Sequence, residues 1–124
     1  MDKQALRDYC ITKIGAEETF PFDTVTLVIK VMGKMFALLS LDIPNDQPAR
    51  INLKCDPFWA EILRSTYSAV IPGYHMDKRH WITVICDGSI PDEEIKLMID
   101  ESYALVVKKL PRAAREELQR LENA

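Results

Sequence analysis

Apolar positions fall at helical spacing first and at strand spacing next. Leu6, Tyr9, Cys10 and Ile14, with the stem of Lys13, recur at i, i+3 and i+4 behind Asp2. This predicts a helix over residues 2–14 that Gly15 ends. Residues 17–23 predict a loop, because Phe20 precedes Pro21 and is pushed out of helical backbone. Thr24–Val31 is rich in β-branched residues, with Val25, Leu27, Ile29 and Val31 on one face. A turn at Met32-Gly33-Lys34 and a returning strand over Met35–Leu41 complete a hairpin. Residues 42–49 carry two prolines and Asn45-Asp46, and read as a loop. Ile51, Leu53 and Cys55 then alternate with Arg50, Asn52 and Lys54, which predicts a third strand with one polar face.

Asp56-Pro57 is a helix start, with a carboxylate at the cap and proline at the first helical position. Phe58, Trp59, Ile62, Leu63 and Tyr67 form the apolar stripe of that helix. Trp81–Cys86 predicts a fourth strand, closed by the turn at Asp87-Gly88. Pro91, followed by Asp92, Glu93 and Glu94, starts the longest helix, where acids in the first turn complement the dipole. Its stripe is Ile95, Met98, Ile99, Ser102, Leu105 and Val106. Pro111 breaks it, and residues 111–122 restart as a short helix with Ala114, Leu118 and Leu121. The order α-β-β-β-α-β-α-α predicts an α+β fold, a two-layer arrangement of an antiparallel sheet with helices packed on one face. Asn52 and Lys54 leave the other sheet face partly open.

A chain of 124 residues with 48% hydrophobic content fits one domain, residues 1–124, with a core that needs neither metal nor disulfide. Cys10, Cys55 and Cys86 make an odd count without CxxC spacing, which points to reduced, buried thiols of a cytosolic protein. No apolar leader and no run of roughly 18 apolar residues occurs, so a soluble cytoplasmic protein with no membrane association is expected. The net charge of −3 counts against a dedicated nucleic-acid binder. Its distribution softens that: residues 50–81 carry five cations against three anions, whereas residues 1–49 and 91–124 are each net −2.

The basic island ends in Pro72-Gly73-Tyr74-His75-Met76-Asp77-Lys78-Arg79-His80-Trp81. Pro-Gly suggests a type II turn with glycine at positive φ, which would hold cations and aromatics on a loop at the mouth of a strand. Lys54, Lys78, Arg79 and His80 can neutralise phosphates, and Tyr74 and His75 add exposed rings. Lys34 at the hairpin tip adds a further contact, while Trp81, opening a strand, is expected in the core. Two histidines five apart on a loop do not make a metal site, so neither metal nor cofactor is expected. Ser102 has no nucleophile elbow and reads as a buried hydroxyl bonded to a carbonyl one turn back. No P-loop or GxGxxG occurs, and the reading is a non-enzyme.

Phe20-Pro21-Phe22, Val31-Met32-Gly33-Lys34-Met35-Phe36-Ala37 and Asn52-Leu53-Lys54-Cys55-Asp56-Pro57 carry a resemblance. So do the Pro72–Trp81 run, Asp87-Gly88-Ser89-Ile90-Pro91 and Ser102-Tyr103-Ala104-Leu105-Val106. In this order they resemble the MmcQ/YjbR family of small bacterial proteins across nearly the whole chain. The resemblance implies a fold like bacterial frataxin (CyaY-like) and DNA binding through hairpin wings. It does not carry over an iron role, because the first helix mixes Asp2 and Asp8 with Lys3, Arg7 and Lys13 and so lacks an acidic ridge. Two functions follow as expectations. One is weak, salt-sensitive binding of duplex DNA through Lys34, Lys54, Tyr74, His75, Lys78, Arg79 and His80. The other is a protein- or small-ligand-interaction module that uses the open sheet face and the Pro72–Trp81 loop, with Tyr74, His75 and Trp81 lining a pocket.

Overall fold

The computed structural model describes residues 1–124. Its elements are α1 (Lys3–Ile11), β1 (Ala16–Thr19), β2 (Thr26–Val31), β3 (Lys34–Ser40) and β4 (Ala49–Lys54). These are followed by α2 (Pro57–Thr66), β5 (Val70–Pro72), β6 (Trp81–Cys86), α3 (Asp92–Lys108) and α4 (Arg112–Glu122). The six strands form one antiparallel sheet in the order β1-β2-β3-β4-β6-β5. The α+β class is as expected, and every expected element is present in its place.

Two short strands lengthen the sheet at its edges. Ala16–Thr19 overlaps the stretch from residue 17 expected to be loop, yet it pairs with β2, Glu18 opposite Ile29. Backbone groups carry that pairing, helped by the Thr19 hydroxyl donating to the Val28 carbonyl at 2.8 Å. At the other edge Val70–Pro72 pairs with β6.

Helices and strands meet in one core on one sheet face. Leu27, Ile29 and Val31 of β2, Ile51 and Leu53 of β4, and Ile82 and Val84 of β6 pack under Leu6 and Cys10 of α1 and Ile95, Ile99 and Val106 of α3. Asp2 caps α1 by accepting from the Ala5 amide at 2.8 Å, and Asp56 caps α2 by accepting from the Phe58 amide at 3.0 Å. All three cysteines are free and buried. Burial pushes the Cys10 thiol up to about 12 and those of Cys55 and Cys86 up to about 11. At neutral pH they are packing groups.

A β-bulge in the β2–β3 hairpin shapes the centre of the molecule. Ile29 faces Ala37 while Lys30 faces Met35, so Phe36 is the extra residue. The bulge lets both Phe36 and Ala37 point into the core. It also leaves the Phe36 carbonyl without a ladder partner, at the point where the β3–β4 pairing ends at Ala37 and Leu53. Ser102 of α3 fills this gap. Its hydroxyl donates to the Phe36 carbonyl at 2.6 Å and accepts from the Lys54 amide at 2.8 Å. The expectation of a bond to a carbonyl one turn back on its own helix is therefore corrected. The bulge supplies a better acceptor. Next to it the Tyr103 ring packs edge-on against Phe36, with centroids 5.3 Å apart.

The apolar stripe of α2 is a second correction. Ala60 is the only buried residue of this helix, while Phe58 is 67% and Trp59 57% exposed. α2 rests chiefly on β5, a three-residue strand. Leu63 and Tyr67 pack against the core as expected, but Phe58 and Trp59 overhang the narrow surface beneath the helix.

Candidate nucleic-acid interface

Antiparallel pairing brings several chain segments to one end of the sheet. These are the β2–β3 tip at Met32-Gly33, the end of β4, the start of β6 and the loop between β5 and β6. Each expected site residue lies there. Lys54 sits opposite Trp81, and the Cys55 amide donates to the His80 carbonyl at 2.8 Å. Lys34 lies two residues before Phe36, whose carbonyl shares the Ser102 hydroxyl with the Lys54 amide.

The loop over residues 73–80 is organised by three fixtures. Asp77 is the first: its carboxylate accepts from the Arg79 amide and from the His80 ring Nδ1–H, each at 2.9 Å. The Arg79 amide and then the His80 ring hold the Asp77 carboxyl below its usual range. Because a carboxylate only accepts, the His80 proton sits on Nδ1 and Nε2 faces away from Asp77. The second fixture is a polar bridge on the sheet. The Tyr74 amide donates to the Thr83 hydroxyl at 3.0 Å, and that hydroxyl donates to the Asn52 side-chain oxygen at 2.5 Å.

The third fixture is apolar. Val28, Leu38 and Trp81 form a small cluster on the face away from the helices, and Met35 and Met76 close over it. Trp81 is 8% exposed and anchors the loop. It is thus a wall beneath the loop. The face expected to be partly open carries this cluster at its centre.

Gly73 has a different role from the one expected. Pro72 stays in β5 opposite Ile82, and the Gly73 amide donates to the Trp81 carbonyl at 3.0 Å. The positive φ of this loop falls on His75, at 59°, and not on the glycine. What Gly73 supplies is space: a Cβ there would lie 2.8 Å from the Trp81 Cβ and 3.0 Å from its carbonyl oxygen. The Pro-Gly pair therefore ends a strand pressed against its neighbour, where a type II turn was expected.

Among the cations, Lys78 donates to the Gly73 carbonyl at 3.1 Å. Arg64, a residue the sequence reading did not select, reaches the Lys78 carbonyl from α2 at 3.5 Å. Its signal was its place in the basic island, two turns along a helix whose start is fixed by Asp56-Pro57. None of Lys34, Lys54, Arg64, Lys78 or Arg79 pairs with a carboxylate. Elsewhere Arg7, Lys13, Lys96, Arg112 and Arg120 are paired, while Lys3, Lys30, Arg50, Lys108, Lys109 and Arg115 are not, so what marks this end is the clustering of five such cations. Tyr74 and His75 are exposed and stack at 4.0 Å between centroids, tilted by 52°. No three His, Cys, Asp or Glu side chains converge to hold a metal.

The family model described as YjbR matches residues 11–105. The chain belongs to the YjbR family. It is 40% identical over 116 residues to the Escherichia coli (strain K12) protein named "Uncharacterized protein YjbR", covering 94% of this chain and 96% of that one. It is 34% identical over 119 residues to "Uncharacterized protein YbdF" of Escherichia coli O157:H7, covering 90% and 93%. A crystal structure of a Deinococcus radiodurans protein superposes with a TM-score of 0.85 at 40% identity, covering 95% of this chain and 88% of that chain. A Pseudomonas syringae crystal structure superposes at 0.72 with 30% identity, covering 85% and 98%. None of these similar proteins carries an enzymatic name. No helix of the chain is long and apolar enough to cross a membrane.

Proposed function

We propose that this YjbR-family chain is a non-enzymatic, DNA-associated protein that contacts the phosphates of duplex DNA from one end of its sheet. One observation carries the reading: Lys34, Lys54, Arg64, Lys78 and Arg79 gather at that end without a carboxylate partner, in a molecule whose net charge is −3. A cation free of a local anion can displace counterions from phosphate, and the tethered loop limits the ordering such contact requires. Tyr74 and His75 stand at the rim, where rings can stack on bases or flank a groove. The acidic remainder of the chain opposes close approach elsewhere, which confines the contact to this end.

Fluorescence anisotropy of labelled duplex DNA tests the reading. Binding is expected at low salt, with log affinity falling linearly in log salt at a slope of about −4 if four or five phosphates are neutralised. The double variant Lys78→Glu/Arg79→Glu should abolish it. Absence of binding at about 50 mM salt, or binding indifferent to the double variant, refutes the proposal.

A further inference from the structure

On the helical side of the molecule α2 and α3 diverge and leave a groove of about 540 Å³. Buried Cys55 and Ile82 lie in its lining with Met98, and Trp59, Leu63 and Leu97 add apolar walls. Leu97 is 53% exposed, and beyond the groove the Phe58 ring meets the Trp59 ring edge-on at 5.9 Å. The apolar strip thus continues past the cavity, which a small ligand would leave uncovered. Contiguous exposed aromatics of this kind mark contact surfaces.

The charges at the groove select the occupant. Asp56, Glu94 and Glu101 line it against one cation, Lys54. On α3 the lining positions are 94, 97, 98, 101 and 105, an i, i+3, i+4, i+7, i+11 series on one face. At 1.5 Å per residue that face is about 16 Å long, or three helical turns. Glu94 and Glu101 stand two turns apart, about 10 Å along it. Acid at the rim opposes phosphate and anionic lipid. It also opposes a symmetric pairing of two copies, which would set these acids against each other.

We propose that the α2–α3 groove docks an amphipathic helix of a partner protein, three turns long. Its apolar ridge seats against Trp59 and Leu97, and its flanking Lys or Arg residues, about two turns apart, meet Glu94 and Glu101. Helix-in-groove recognition works in this way, with apolar anchors giving affinity and flanking charges giving register and choice of partner. The groove adjoins the cationic end of the sheet and shares Lys54 with it, but the docking proposal rests on Trp59, Leu97, Glu94 and Glu101 and does not depend on the DNA reading.

Three labelled helical peptides of equal length test this against the full chain by anisotropy. One has a leucine ridge with lysine flanks, one has the same ridge with glutamate flanks, and one is the lysine peptide scrambled so that no ridge remains. The lysine-flanked peptide should bind at least tenfold tighter than either of the others. Trp59→Ala should weaken it tenfold or more. Glu94→Lys/Glu101→Lys should invert the preference toward the glutamate-flanked peptide. These side chains are exposed, and circular dichroism of each variant confirms that the fold is kept. Equal binding of the scrambled peptide, no binding of any peptide, or affinity unchanged by Trp59→Ala overturns the proposal. Self-association in sedimentation that Trp59→Ala abolishes also overturns it and assigns the groove to a second copy. Partition onto anionic vesicles that needs Trp59 overturns it in favour of a membrane surface.

Discussion

Replacing Ser102 by alanine removes one oxygen atom from the centre of the molecule and leaves two backbone groups without partners. The Lys54 amide loses its acceptor at 2.8 Å and the Phe36 carbonyl its donor at 2.6 Å. Neither has a substitute in the ladder, because β3–β4 pairing stops at Ala37 and Leu53 and Phe36 sits in the bulge. Ser102 is fully buried. The space left by a hydroxyl is too small for a water with two to four partners of its own. Each orphaned buried group costs about 1–3 kcal/mol, the amide more than the carbonyl, which has a second lone pair. The expected loss is about 2–4 kcal/mol, a large share of the roughly 5–15 kcal/mol typical of a single domain. In a domain of this size that lowers Tm by roughly 6–16 °C. Urea unfolding followed by circular dichroism measures the loss, and hydrogen exchange should show the Lys54 amide losing protection ahead of its strand neighbours. A change under about 0.5 kcal/mol, or unaltered protection at Lys54, would refute the bridging role.

Gly73→Ala should destabilise by about 1–3 kcal/mol through overpacking against Trp81, read from the urea midpoint, and a neutral result would show that the loop yields there. The three thiols should resist a thiol reagent such as DTNB in the native protein and react fully once it is unfolded, since burial holds each well above its ordinary value of 9.0. The same burial sets the alkaline limit. The native state keeps protons that the unfolded chain releases, so stability is level below about pH 9 and falls as pH rises through 11 to 12. Tyr9, raised first by its bond to Asp100, and Tyr103, raised by burial, act in the same direction. Urea midpoints that stay constant between pH 8.5 and 11 would contradict this.

The hairpin, the helix starts and the position of Trp81 were legible because each rests on a local rule. β-Branched alternation marks β2, Met32-Gly33 marks its turn, and Asp56-Pro57 marks the start of α2. β1 was not legible: Ala16-Glu17-Glu18-Thr19 has no apolar alternation, and its pairing depends on β2 being nearby. The α2 stripe shows a different limit. Periodicity gives the direction in which Phe58, Trp59 and Ile62 point, but not whether anything lies there. Ser102 was rightly read as buried and satisfied, but its partners sit 48 and 66 residues away and depend on a bulge that no residue pattern announces. In the candidate interface, sequence proximity identified the loop. Strand register placed Lys34 at the same end, and the approach of Arg64 from α2 to the Lys78 carbonyl was not legible.

The sheet ends in strands that give a neighbouring molecule little to grip. β1 is four residues long with two glutamates, and β5 is three residues long and finishes in Pro72, which has no amide hydrogen to donate. An added strand would find a short ladder at either margin, charged at one and interrupted at the other. The sheet therefore stops at six strands. Both margins thus work against edge-to-edge pairing of one copy with the next.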